Sequence, residues 1–269
     1  MKKCIILVFS ILILSSFVAY LKHKPSVYLI GDSTVADGSG NNGLWGWGKF
    51  FPQFFDTTKV DIFNYALGGT STRTFQTNGI WNPALNTKGM WDTVYTKLRK
   101  GDYLIIQFGL NDQSPVDDTS RSRGTLHGIG EDSVEIFNNI THKQEVVHSF
   151  GWYIRNFIKD AKEKGVTVIV CSTIPKNLWK EGKLIRGEYG FGDWALQVAQ
   201  QEKVDAIDLN SLIADIYDKE GELNVTAKYH SATDNTHTTK AGAILNASLV
   251  AKAIGELKEC KLKKYIIHK

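Results

Sequence analysis

Cysteine is scarce: three in 269 residues, with Cys4 in an apolar N-terminal run, Cys171 in a later apolar run and Cys260 in a basic tail. Two cysteines in the body of a chain this long make no disulfide scaffold, and Cys171 reads as a buried thiol. Charge of one sign is scarce too. Thirty-two Lys and Arg against 28 Asp and Glu leave a formal net charge of +4. Much of that excess is terminal, in Lys2, Lys3, Lys22 and Lys24 and in Lys258, Lys261, Lys263 and Lys264. A nucleic-acid partner asks for a concentrated basic face and is not expected. No internal repeat and no low-complexity linker divides the chain, which favours one large domain over two. His, Cys, Asp and Glu do not fall into metal-ligand spacings, so neither metal nor cofactor is expected.

What is present is ordinary globular material, 42% hydrophobic and 22% charged, enough for a sizeable core. Residues 1–24 stand apart. Lys2 and Lys3 precede a charge-free, almost wholly apolar stretch from Ile5 to Leu21, which matches a secretory leader better than a spanning helix. No clean small-x-small pair stands before Lys22, so cleavage and retention as an anchor both stay open. Either way residues 25–269 form the folded domain and are exported, to the periplasm or the medium. A membrane is a partner only if the leader is retained.

Short apolar runs alternate with helical patterns. Val27–Ile30, Val60–Phe63, Tyr103–Phe108, Val166–Cys171 and the weaker Ala206–Ile207 are β-branched, brief and bounded by turn formers, as buried parallel strands are. Between them Val147, Phe150, Ile154, Phe157, Ile158 and Ala161 recur at helical spacing, and 194–201, 212–217 and 241–254 read as further helices. This alternation predicts a three-layer α/β/α sandwich, with a five-stranded parallel sheet of flavodoxin-like order. Residues 112–143, polar and glycine-punctuated, read as a long functional loop at a strand end.

Four junctions carry reactive side chains. Gly31-Asp32-Ser33-Thr34 follows the first strand, Gly68-Gly69-Thr70-Ser71 the second and Gly109-Leu110-Asn111-Asp112 the third, while Asp234-Asn235-Thr236-His237 precedes the last helix. Singly, each is more often a helix cap or a turn. Together they supply what acyl transfer needs. Ser33 is a nucleophile that requires a base, and His237 is that base. Asp234 can fix the imidazole tautomer, and the N–H groups of Ser33 and Gly69 with the Asn111 amide can hold an oxyanion. Asp32 reads as the residue that holds the turn.

The order and placement of these blocks resemble the SGNH (GDSL-like) hydrolase family, over about Pro25 to Gly255. The resemblance implies Ser33, Asp234 and His237 as the catalytic set and Ser33, Gly69 and Asn111 as the oxyanion hole. Gly-Asp-Ser-Thr-Val, the run Ala66 to Phe75, Phe108 to Asp112 and the stretch Arg121 to Tyr153 look narrower still, like rhamnogalacturonan acetylesterases, which deacetylate the pectin backbone. Two positions depart: that family usually has His where Leu110 stands and often Arg where Thr70 stands. A galacturonate polymer is a polyanion, so Arg73, Arg121, Arg123 and His148 are candidate substrate contacts. Trp45, Trp47 and Trp81 are candidate sugar platforms, with a core role favoured for Trp47. The expected partner is therefore an acetylated polysaccharide. A lipase or thioesterase of the same fold would want an apolar acyl channel, and a non-catalytic sugar-binding protein would lack Ser33 or His237. A nucleotide- or flavin-binding protein would need a loop richer in Ser, Thr and Gly after the first strand.

Overall fold

A computed structural model describes residues 24–38, 43–77, 90–187 and 190–267. The strands are β1 (Ser26–Gly31), β2 (Leu44–Trp45), β3 (Asp61–Asn64), β4 (Tyr103–Gln107), β5 (Ser133–Asn138), β6 (Lys143–His148), β7 (Thr167–Cys171), β8 (Trp179–Lys180), β9 (Lys183–Leu184), β10 (Asp205–Ile207) and β11 (Thr238–Thr239). The helices are α1 (Thr72–Gln76), α2 (Met90–Tyr95), α3 (Phe150–Glu163), α4 (Phe191–Gln201), α5 (Leu209–Glu220), α6 (Glu222–Tyr229) and α7 (Lys240–Glu256).

The central sheet runs β10-β7-β4-β1-β3 and is parallel throughout. This is the five-stranded, flavodoxin-like order that the apolar runs predict. The period-2 alternation of each strand divides the core in two. Val27, Leu29, Tyr103, Ile105, Ile169 and Cys171 enter one cluster, beneath α5 and α7. Their neighbours Tyr28, Ile30, Leu104, Ile106, Val168 and Val170 enter the other, beneath α2, α3 and α4. Both faces are thus covered, which is why the strands read as continuous apolar runs.

The helices begin where the sequence offers caps. Ser149 accepts from Trp152 N–H ahead of α3, Asp208 from Ser211 N–H ahead of α5, and Thr239 from Gly242 N–H ahead of α7. The expected loop over 112–143 is not one, and Val147, expected in the helix that follows, lies in β6. Residues 112–148 contain the antiparallel ribbon β5–β6, paired from Ser133↔His148 to Asn138↔Lys143. The ribbon is hard to read in sequence because much of it stays in solvent: Val134, Phe137 and Val146 are exposed, so no clean in/out alternation marks it.

Candidate active site

β1 and β4 are neighbours in the sheet, and the chain leaves them toward Ser33 and Asn111. Such an adjacency, where the strand order reverses, opens a crevice at the carboxyl ends of the strands. Ser33 sits in a tight turn: Val35 N–H and Ala36 N–H both donate to Asp32 O. The buried Asp32 carboxylate closes that turn by accepting from Thr34 N–H at 2.9 Å and Thr34 Oγ1 at 2.7 Å. Thr34 is braced from below, because Gln107 Nε2 donates to its hydroxyl at 2.7 Å while Trp47 Nε1 donates to Gln107 Oε1 at 2.8 Å. Gly31 has no room for a side chain. A Cβ there would lie 2.6 Å from the Gln107 carbonyl oxygen.

Ser33, His237 and Asp234 lie in a line. Ser33 Oγ is 2.8 Å from His237 Nε2, and His237 Nδ1 is 2.7 Å from Asp234 Oδ2. The other carboxylate oxygen, Oδ1, accepts from Thr236 N–H at 2.8 Å and His237 N–H at 2.9 Å. Burial acts against the Asp234 carboxylate, but hydrogen bonds from the His237 backbone and ring and from Thr236 N–H outweigh it and hold its pKa below the usual carboxylate range. An ionised Asp234 keeps the proton on Nδ1 and leaves Nε2 to accept from Ser33. β11, next to His237, pairs with β2, and Thr238 Oγ1 donates to Trp45 O at 2.9 Å, so the histidine is tied to β2, beyond which Trp47 N–H donates to Thr34 O in the Ser33 turn.

The second and third blocks lie close to this line. Gly68 packs close, since a Cβ there would lie 3.6 Å from Ser33 Cβ. Gly69 follows at φ +81°, a left-handed conformation that glycine adopts without strain. Asn111 Nδ2 donates to Thr70 O at 2.9 Å, which joins the third block to the second. Ser33, Asn111 and His237 line a single pocket of about 400 Å³ with Leu110, Gln113 and Arg123. A second cleft, of about 420 Å³, lies against Ser33 and His237 on the side of Leu44, Trp45 and Gly68.

A family model described as GDSL-like lipase/acylhydrolase matches residues 29–243. The chain belongs to this GDSL-like family of ester hydrolases. It is 30% identical over 230 residues to a rhamnogalacturonan acetylesterase of Emericella nidulans, covering 85% of this chain and 84% of that one. It is 28% identical over 251 residues to rhamnogalacturonan acetylesterase RhgT of Bacillus subtilis, covering 88% and 92%. Among solved structures, protein YxiM of Bacillus subtilis superposes with a TM-score of 0.67 at 24% identity, over 87% of this chain and 56% of that one. An acetyl xylan esterase, AlAXEase, gives 0.53 at 17% identity over 85% and 98%; these two likenesses speak for the GDSL fold.

The arginines divide in ways the sequence hides. Arg73 is fully buried, with Nε 2.8 Å from Glu145 Oε1 and Nη2 2.7 Å from Glu145 Oε2. Its Nη1 donates to the carbonyls of Val116 and Gly124, both at 2.9 Å. Every nitrogen of the guanidinium is engaged inside the protein, so the expectation that Arg73 touches substrate is corrected: it clamps the segment 112–148 to the domain. Arg121, exposed, lines a different cleft of about 170 Å³ with Thr77, Asn138 and Lys143. Only Arg123 reaches the Ser33 pocket. His148 is not among the residues of that pocket. Its half-buried ring stacks on Trp152 with centroids 3.7 Å apart. His127 packs against Phe191 and Trp194. Trp45 borders the second cleft, Trp47 is core, and Trp81 lies outside the described residues. Cys171 and Cys260 are both free and buried, and burial pushes the Cys171 thiol up to about 12.

Several site residues went unremarked in the sequence. Gln107 closes a strand, where its buried polar head reads as strand edge. Gln113 and Lys176 line the Ser33 pocket; Gln113 is signalled only by its nearness to Asn111, and Lys176 by nothing in the sequence. Asp112 is fully buried and accepts from Thr72 N–H at 3.0 Å and from Thr72 Oγ1. Burial, only partly opposed by these bonds, pushes it up to about 7.

Proposed function

We propose that this GDSL-like hydrolase is an exported serine acetylesterase that removes acetyl groups from a plant cell-wall polysaccharide, pectic rhamnogalacturonan before others. The observation that carries the chemistry is the unbroken Ser33–His237–Asp234 line, at 2.8 and 2.7 Å, in a pocket that Asn111 also lines. His237 Nε2 takes the Ser33 proton as Oγ attacks the acetyl carbon. The tetrahedral oxyanion is met by the N–H groups of Ser33 and Gly69 and by Asn111 Nδ2. The C–O bond to the sugar breaks and His237 returns the proton to the departing sugar oxygen. Water then attacks the acetyl-Ser33 ester with His237 accepting its proton, the bond from Ser33 Oγ to the acetyl carbon breaks as His237 returns that proton to Oγ, and acetate leaves.

The substrate rests on two supports. The relatives named rhamnogalacturonan acetylesterase are 27–30% identical over most of this chain. Lys176 also places positive charge on the wall of the Ser33 pocket, which suits a polyanionic chain. The test is acetate release from acetylated rhamnogalacturonan beside acetylated xylan at equal acetyl content. Faster release from the pectic polymer is the expected result. Equal or faster release from xylan would move the enzyme to a different glycan, and no release from either would remove polysaccharide acetyl esters as its substrate.

A further inference from the structure

We propose that Arg123 is a positioning residue for the oxyanion hole, and that it acts through Asn111 rather than by gripping the sugar chain. The inference rests on reading Asn111 as an oxyanion donor. An asparagine amide presents a donor at one end and an acceptor at the other, and a half-turn about its last bond exchanges them. Here both ends are spoken for. Nδ2 donates to Thr70 O at 2.9 Å, and Oδ1 accepts from Arg123 Nη1 at 2.8 Å. The flipped amide would set NH₂ against a guanidinium that can only donate, and Oδ1 against a carbonyl that can only accept. Two favourable contacts would become two repulsive ones. Arg123 thereby fixes Nδ2 on the side of Thr70, with one hydrogen bound there and one remaining for the substrate.

The charge adds to the geometry. A cation on Oδ1 draws electron density through the amide and makes the remaining Nδ2–H a stronger donor. Its effect is greatest when negative charge forms on the acyl oxygen, so it favours the transition state over the ground state. Arg123 is itself held. Its Nε lies 3.5 Å from Asp118 Oδ2, and Asp118 Oδ1 accepts from Ser120 N–H at 2.9 Å and Ser120 Oγ at 2.5 Å. The next residue, Gly124, gives its carbonyl to buried Arg73. It has no space for a Cβ, which would lie 2.2 Å from the carbonyl oxygens of Ser114 and Pro115. A rigid loop therefore presents the guanidinium to Asn111.

The experiment is a double-mutant cycle in the full enzyme on p-nitrophenyl acetate, an uncharged ester too small to meet a sugar-binding arginine. Arg123→Ala is expected to lower kcat about tenfold or more with KM within about twofold, and Arg123→Lys to recover part of that loss through its charge. In an Asn111→Ala background, already slowed about 10²–10³-fold, Arg123→Ala should change kcat less than about twofold, because the group it orients is gone. If the alanine variant does not fold, Arg123→Gln and Arg123→Lys complete the same cycle. Unchanged kcat on the small ester, with KM raised on the polymer alone, would make Arg123 a substrate grip and overturn the inference. Losses that multiply in the double variant would overturn it equally. Full kcat in Asn111→Ala would instead remove the oxyanion reading beneath it.

Discussion

The junctions that carry Ser33, Asn111 and His237 and the inserted segment that begins at Asp112 both contribute to one pocket, yet they are held by different means. The junctions are short and are fixed by the sheet and by neighbours in sequence, as when Asp32 bonds Thr34 or Asp234 bonds Thr236 and His237. The insertion is held by charged side chains: Arg73, from α1, binds Glu145 and the carbonyls of Val116 and Gly124, and Arg123 ties the loop to Asn111 at its root. Chemistry sits where geometry follows from the strand order. Orientation and selectivity sit where geometry is assembled from remote charges. Variants in the two regions should therefore fail differently.

The largest effects belong to the junctions. Ser33→Ala should leave a folded protein and lower kcat on p-nitrophenyl acetate by about 10⁴–10⁶-fold; near-wild-type turnover in a folded variant would dissolve the contrast. Asp234→Asn comes next, at about 10²–10⁴-fold. Its amide cannot hold the proton on His237 Nδ1 as a carboxylate does, although Oδ1 can still accept from Thr236 and His237 N–H. An Asp234→Asn enzyme with an unchanged rate would point to another orienting group.

The insertion should fail first in stability. Arg73→Met leaves Glu145 partly buried without its partner and frees the carbonyls of Val116 and Gly124. Breaking a buried pair from one side costs about 3–5 kcal/mol, to be read from urea denaturation. A loss below about 1 kcal/mol would show that the segment is anchored elsewhere. The junctions carry a smaller liability of their own. His230, before the Asp234 turn, is buried against Tyr217 OH at 3.2 Å, and burial lowers its pKa from 6.5 to about 4. The unfolded chain takes up this proton first as pH falls. Stability is therefore whole above about 6.5 and drains toward pH 4, by about 3 kcal/mol for a shift of this size. His230→Phe should flatten that slope in thermal melts between pH 7 and 4, and an unaltered slope would assign the acid sensitivity to other groups.

How far each region could be read in advance follows from the same contrast. Val27–Ile30 and Tyr103–Phe108 announce themselves because both faces are buried, and the motif blocks stand at their ends, so sheet order and the placement of Ser33 and Asn111 are legible. Helix ends are recovered less well. The 212–217 pattern omits the turn that Asp208 caps, and α6 leaves little periodic signal, its buried residues being Val225 and Tyr229 while Leu223 is exposed. The fate of each arginine is illegible for a physical reason. Arg121 and Arg123 look alike in sequence, but one faces a cleft with Lys143 and the other faces Asn111, and only the loop's path decides which. In sequence Arg73 reads as part of the site because it follows Gly69, whereas its acceptor Glu145 arrives from the far end of the insertion.

The smallest expected effect tests whether the insertion's own cleft has a part in binding the glycan. Arg121 and Lys143 border the space of about 170 Å³ beside Asn138 and Thr77, in a pocket that does not include Ser33. If galacturonate units extend there, these cations lower KM without touching the acyl carbon. Arg121→Ala with Lys143→Ala should then leave kcat and KM on p-nitrophenyl acetate unaltered and raise KM on acetylated pectin. Each exposed pairing is worth only about 0.2–1 kcal/mol, so the double variant should lose roughly two- to thirtyfold. Added salt should shrink that loss, because exposed charges are screened over about 8 Å at physiological ionic strength. Acetylated xylan, whose backbone is neutral, should show no such loss. A matching loss on xylan would make the cleft indifferent to charge, and a loss on the small ester would mean that the insertion reaches the chemistry through more than Arg123.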